Sequence, residues 1–358
     1  MTRFVIRRLL VTLPVLLGIV FIVFALGRLV PGDPCRAVLG ERATDAVCNE
    51  FIRRYGLDQP IPIQFGLYLG QLVQGDLGES IKHSRPVTQL LIERLPTTIE
   101  LTLLAMLFAT IVGIPLGLAS AYRRNSPIDV ATMMLANLGV SMPVFVLGLL
   151  LAFLFAIVFK DTLLSLPPSG RLSSGITVRP IAEVWGLQGL TGPLRGLLDF
   201  LSGIYFISAL ITGQFAAWFD AMRHLLLPAL ALGTIPLAII ARITRSSLLE
   251  VMGQDYVRTA RAKGLRERGV ILRHAARNAL LPVVTVIGLQ LGALLSGAVL
   301  TETVFNLAGV GRTLYEAITG RDYVVIQGFT LIIAFIYVMV NLIVDVSYGY
   351  LDPRVRLG

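Results

Sequence analysis

The sequence predicts an all-α, polytopic membrane protein that crosses the bilayer six times, with both termini in the cytoplasm. Of its 358 residues 55% are hydrophobic and 15% charged, and mean hydropathy is +0.77, a balance foreign to water-soluble domains, disordered chains and nucleic-acid-binding modules. Seven uncharged runs (residues 9–27, 101–122, 130–159, 201–219, 225–241, 278–301 and 323–344) reach the length that a hydrocarbon core about 30 Å thick demands. Lipid satisfies no open backbone group, and the runs lack the alternation of barrel strands, so they are expected to be helices. The third observation is the placement of charge: with 31 Lys and Arg against 22 Asp and Glu, the excess of +9 belongs in cytoplasmic loops.

Taken in order, the first run follows Arg3, Arg7 and Arg8, which hold the N-terminus inside. Ala25-Leu26-Gly27 gives it a rival reading as a signal peptide, but its apolar stretch of about 18 residues exceeds the usual signal core of about 7 to 15, and a retained helix is expected. Residues 28–100 form an outer loop holding the chain's two cysteines, Cys35 and Cys48. Their spacing, without His or Cys companions, suits a disulfide better than a zinc site, with free thiols as the alternative. In the run 130–159, Pro143 follows Asn137 and Ser141, which predicts a kink or two half-helices there.

Residues 160–224 make a second outer loop, too long for a turn and expected to lie over the outer mouth. The run 201–219 inside it is read as a buried or interfacial element, because a seventh span would put the basic loop 242–279 outside. With six spans the cytoplasmic pieces hold 16 of the 31 Lys and Arg in 65 residues. The run 278–301 carries Thr285, Gln290 and Ser296 beside Gly288, Gly292 and Gly297, and Asn341 and Asp345 lie near the inner end of the last run. Asn137, Ser141, Pro143, Thr285, Gln290 and Ser296 are the candidate lining of a polar path, with interhelical packing as the alternative for each.

No GxxxxGK[ST] occurs, nor any Gly-Lys pair, so no phosphate cradle is expected. His83, His224 and His274 are far apart and no HExxH is present, so no metal site is expected either. Energy for active transport would come from elsewhere. The loop 242–279 carries the sharpest signal, with Asp255 as N-cap of a short helix, Gly264 as its stop and a second basic helix from near Glu267. Such a knuckle can dock in a groove of a partner; the alternative is a topology signal that meets anionic lipid.

This segment resembles the "EAA" coupling loop of ABC-importer permeases: EAA, three residues, Gly, nine residues, then I-x-L-P. Thr259-Ala260-Arg261 stands at EAA, with two residues instead of three before Gly264 at the Gly, and His274 to Arg277 at I-x-L-P; Thr259, Arg261 and Arg277 depart from the pattern. YVRTARAKG (256–264) followed by RHAARNALLPVVTVIG (273–288) is similar to the version in the dipeptide, oligopeptide and nickel branch. RLVPGDP (28–34), YGLDQPIPIQ (55–64), QGDLGES (74–80), LPTTIELTLLA (95–105), LTETVFNLAGVGRTLYEAITGRDYVVIQG (300–328) and LDPRVR (351–356) resemble the same branch, nearest to the B-type permease chain of dipeptide importers.

The resemblance implies one transmembrane permease domain over residues 1–358, of the ABC-importer permease (MetI-like) fold, in the cytoplasmic membrane. It implies a second permease chain, two ATP-binding cytoplasmic subunits that carry ATP and Mg, an outer substrate-binding protein, and a dipeptide or short peptide moved by alternating access. Asp255, Tyr256, Arg258, Thr259, Ala260, Arg261, Gly264, Arg273, His274 and Asn278 would be the ATPase-coupling residues. The alternatives are the same architecture carrying nickel chelates, glutathione or another small solute, or a passive channel or scaffold.

Overall fold

The computed structural model describes residues 2–29, 35–36, 40, 42–54, 56, 58–80 and 82–351; among candidate residues, the side chains of Ser296 and Asp345 lie outside the described ones. The chain begins with α1 (Thr2–Leu29), followed by α2 (Asp45–Arg54), α3 (Ile61–Val73) and a two-residue hairpin of β1 (Glu79–Ser80) and β2 (Arg85–Pro86). Cys35 and Cys48 are joined in a disulfide ahead of α3.

Two helices dominate. Helix α4 (Val87–Tyr122) has 36 residues and starts where Pro86 fixes an extended backbone, well before the apolar run at 101. At 1.5 Å per residue it is about 54 Å long, so it projects beyond a hydrocarbon core of about 30 Å.

The run 130–159 is split as Pro143 predicts. Helix α5 (Pro127–Ser141) ends at Met142, whose φ of −88° and ψ of 127° are the extended values that a following proline imposes. Helix α6 (Val144–Phe153), continued by a π-helical turn at Leu154–Val158, leaves at 103° to it.

Short helices α7 (Ile181–Val184), α8 (Pro193–Ser202) and α9 (Tyr205–Ile211) follow. The run 201–219 is therefore no single helix: the chain bends by 103° between α8 and α9 and turns again at Gly213, with φ of 71°. Ser202, Ser208 and Ala209 within it are buried. Helix α10 (Phe215–Met252) then runs for 38 residues, about 57 Å. After the loop come α13 (Ala276–Gly297), α14 (Val299–Val304), α15 (Val310–Thr319) and α16 (Tyr323–Leu351); α11 and α12 lie in the loop and are described below. The run 278–301 thus ends as a helix at Gly297, and Thr301 belongs to a separate short helix. Among the described residues, by length and composition, five helices can cross a membrane, and up to seven if each bent pair is one span.

Helices α4 and α10 lie side by side in the same direction. An added Cβ at Gly233 would meet Ala105, at Gly113 it would meet Leu237 and Ile240, and at Gly117 Ala241 and Thr244, so the contacts climb together. Removing a side chain on alternate helices lets the backbones approach closely. Around this seam Leu101, Ala105, Leu225, Leu232, Ile240 and Phe305 form the main core. Helix α13 runs against α16, with Gly288 on Val344 and Gly292 on Tyr337 and Val340. The late residue Val23 of α1 meets the early residue Gln327 of α16, so these two are also antiparallel.

At the other end of the bundle the α14–α15 hairpin is pinned by a buried carboxylate. Thr98 Oγ1 donates to Glu302 at 2.6 Å and accepts from the Val310 N–H at 2.9 Å, while the Arg312 N–H donates to Glu302 at 2.9 Å. Burial pushes the Glu302 carboxyl above its usual range, against these hydrogen bonds. Gly309 and Gly311 leave the space the carboxylate fills.

A Cβ on Gly117 would stand 2.5 Å from the Ala241 carbonyl oxygen, and backbone cannot step aside as a side-chain tip can. Gly117→Val should cost about 1–3 kcal/mol by overpacking and lower the melting temperature of the detergent-purified chain. Gly18→Val, at a position with nothing within 4 Å, is the control expected to melt with the parent.

Candidate functional site

The loop after α10 is a compact knuckle. Helix α11 (Asp255–Ala262) begins after Gln254, whose φ of −75° and ψ of 149° give it the capping position without a side-chain bond. Asp255 is the first helical residue instead of the expected N-cap. Its carboxylate, 95% exposed, stands 3.5 Å from Arg258 in the first turn, where negative charge complements the helix dipole. The helix is amphipathic: Val257 and Ala260 are buried, whereas Asp255, Tyr256, Arg258, Thr259 and Arg261 face outward. Val257 and Ala260 pack on Leu248 of α10, Ala121 of α4, and Val270, Ile271, Ala275 and Ala279 beyond the turn. Ala260 is therefore an anchor of the knuckle, not part of its outer face.

Gly264 reverses the chain with φ of 73°, a conformation that only glycine adopts without strain, and no atom lies within 4 Å of an added Cβ. Arg261 spans the reversal to Glu267 of α12 (Glu267–Gly269) with two hydrogen bonds of 2.7 and 3.2 Å, and this pairing holds the Arg261 guanidinium above even its usual range. Both partners are more than a third exposed, so the bridge fixes shape and contributes only about 0.2–1 kcal/mol. A π-helical turn, Val270–Ala275, joins α12 to α13. The second helix starts at Glu267 as expected. Asn278 Nδ2 donates to Tyr256 Oη at 2.8 Å, tying α13 back to α11, while Arg273 is exposed and His274 half-buried. Thr259 Oγ1 donates to the Asp255 carbonyl at 3.0 Å, inside the helix. The result is an arginine-rich outer face on a small apolar footing, suited to a groove of opposite charge.

The candidate path residues fall into two groups. Asn137, Ser141 and Pro143 are exposed around the α5–α6 break, where Ser141 Oγ donates to the Asn137 carbonyl at 2.8 Å. Thr285 and Gln290 are half-buried on α13, and the buried Thr285 Oγ1 has no hydrogen-bond partner among the described residues. Helix α5 packs on α10 and α4, and α13 packs on α16, α10 and α4, so within one chain the two groups occupy different flanks.

Several polar contacts escape a search for uncharged runs. Glu100 is wholly buried: it accepts from Arg171 at 2.5 Å and from the Phe206 N–H, and Arg171 also donates to the Gly203 carbonyl at 2.6 Å and lies 3.8 Å over the Tyr205 ring. Asp220 accepts from the Ser173 N–H and Oγ, both at 2.7 Å. These contacts fasten residues 160–224 onto α4 and α10. Asp129, likewise buried, pairs with Arg245. Each of these carboxylates stands beside the edge of an apolar run, which is the signal that could have found it, whereas Arg171 and Arg245 lie away from the run ends.

Residues 113–357 match the family described as the binding-protein-dependent transport system inner membrane component, and residues 1–102 match the family described as the N-terminal part of the membrane component of such systems. The dipeptide transport system permease of Alkalihalophilus pseudofirmus is 43% identical over 99% of this chain and 100% of its own length. The di/tripeptide permease of Pseudomonas aeruginosa and the dipeptide permease of Escherichia coli are each 43% identical over 99% of both chains. The chain belongs to the family of inner-membrane components of binding-protein-dependent transport systems, as a multi-pass membrane protein.

Proposed function

We propose that this chain is one of two permease subunits of an ATP-driven importer and that its substrate is a dipeptide or short peptide. The observation that carries this is the full-length likeness to dipeptide permeases; the knuckle of α11 and α12 in this chain supplies a compact, basic docking element. The knuckle seats in a cytoplasmic ATP-binding subunit, one of a pair that holds ATP and Mg; a second permease chain completes the path and an outer binding protein delivers the peptide. A peptide is a zwitterion with polar amides, which hydrogen-bonding groups serve better than one strong charge. Asn137 and Ser141 are exposed on a surface where lipid offers no hydrogen bond, which favours a partner helix or a wet path beside them.

Helix directions support six crossings with both termini inside. Relative to α4, α10 runs parallel; α13 returns from the loop at the end of α10, α16 opposes α13, and α1 opposes α16. A single upward crossing by the broken α5–α6 pair between α4 and α10 makes the series alternate throughout. In that arrangement the outer segment 160–224 stays outside.

Because both native cysteines are in the disulfide, single added cysteines can be read directly. Arg124→Cys and Gly269→Cys should be shielded from an impermeant thiol reagent in intact cells, and Ser174→Cys should react. Labelling at position 269 from outside would refute the six-span arrangement.

Open space around Gly264 means that Gly264→Val acts through its backbone alone, at a cost of about 1–3 kcal/mol. The variant should still insert, while uptake of a radiolabelled dipeptide falls and ATP hydrolysis stops responding to loaded binding protein. Parent-rate uptake with normal stimulation would end the assignment of a coupling loop. Parallel uptake assays with a nickel chelate and with glutathione separate the peptide reading from its alternatives.

A further inference from the structure

Four hydrogen bonds converge on the carboxylate of Asp129, whose side chain is 6% exposed. Arg245 of α10 supplies two, from Nε at 2.7 Å and Nη2 at 2.8 Å; the Asn125 N–H supplies a third at 2.9 Å and Ser120 Oγ the fourth. A forked guanidinium–carboxylate pair fixes direction as well as distance. Its members come from the last turn of α4, the turn before α5, the first turn of α5 and the inner part of α10. Asn125 is held in that turn at φ of 61°.

The footing of the knuckle stands on the same two helix ends. Ala121 follows Ser120 on α4, and Leu248 lies one turn beyond Arg245 on α10; both pack against Val257 and Ala260. One polar and one apolar contact thus clamp α4, α5, α10 and the knuckle together. At its far end α5 carries Asn137 and Ser141 to the break before Pro143.

We propose that the Asp129–Arg245 pair, with Ser120, is the positioning joint of the importer. It makes α5 move with α4, α10 and the knuckle, so that a displacement imposed by the ATP-hydrolysing partner reaches the α5–α6 break instead of being lost by bending at the Asn125 turn. This rests on the coupling role proposed above.

The test uses the complete importer, with its partner subunits and binding protein, in proteoliposomes, and reads radiolabelled dipeptide moved per ATP hydrolysed. Asp129→Asn and Arg245→Gln should assemble and hydrolyse ATP while that ratio falls roughly tenfold, in the range of typical coupling energies. Arg245→Lys, which keeps the charge but not the fork, should fall between them and the parent. Ser120→Ala strands no charge and remains informative if the charge variants fail to assemble; it should lower the ratio about two- to threefold, a loss of the size of one hydrogen bond. A ratio unchanged in the assembled variants, or uptake and hydrolysis falling in equal measure as a purely structural role would have it, overturns the joint. Gly264→Val run beside them separates the two ideas. If it too leaves the ratio unchanged, the coupling loop fails; if it lowers the ratio and the Asp129 series does not, the joint alone fails.

Discussion

Everything else in this bundle is arranged around the parallel seam between α4 and α10. Lipid gives no hydrophobic drive for two apolar helices to meet, so their association depends on close packing. Gly113 and Gly117 on one helix and Gly233 on the other provide it by bringing backbone against backbone. Parallel neighbours must be joined by a chain that turns back between them, and among the described residues two bent apolar pairs, α5–α6 and α8–α9, lie in that stretch. The remaining long helices are then added in antiparallel order, α13 beside α10 and α16 beside α13.

Charge is used in two distinct ways along this frame. Where helices leave the apolar zone, carboxylates are buried and fully engaged: Glu100 by Arg171 and the Phe206 N–H, Asp129 by Arg245, Glu302 by Thr98 and the start of α15. Removing one member of such a set leaves the other charge or donors without a partner, which makes these positions firm anchors even where the pair itself adds little net stability. On the knuckle the charges are exposed and in excess, and only Arg261 and Glu267 are bound across the turn. Anchors of the first kind hold shape; the second kind is left available.

The large features were legible because their physics is local. An apolar run long enough to span, a proline inside one, and a glycine where a short helix must end each act on their own neighbours, and the structure places a helix, a break at Pro143 and a positive φ at Gly264 accordingly. Tertiary pairings were not legible. Glu302 and Thr98 are 204 residues apart, and Asp129 and Arg245 are 116 apart, so no spacing joins them. Selecting uncharged runs also discarded the residues at their edges, where these anchors stand. At Asp255 the local rule misled by one position: Gln254 took the extended conformation, and the acid went into the first turn, where the helix dipole accommodates it equally well. The polar groups of α5 and α13 share sequence character but lie on separate flanks of this chain, a relation that one-dimensional patterning does not encode.

The carboxylate under the α14–α15 hairpin has a consequence for how this protein can change over time. A Cβ at Gly309 would lie 2.4 Å from the Glu302 carboxyl group, and one at Gly311 would lie 2.7 Å from the Val299 backbone. Shortening Glu302 to make room would strand the Thr98 hydroxyl and the Arg312 N–H. Neither glycine can therefore gain a side chain first, and the acid cannot be lost first, so variation here requires simultaneous replacement. Sequence drift should pass around this hairpin and accumulate elsewhere, most freely in residues 160–224, whose glycines, such as Gly175, Gly189 and Gly196, have open space beside them.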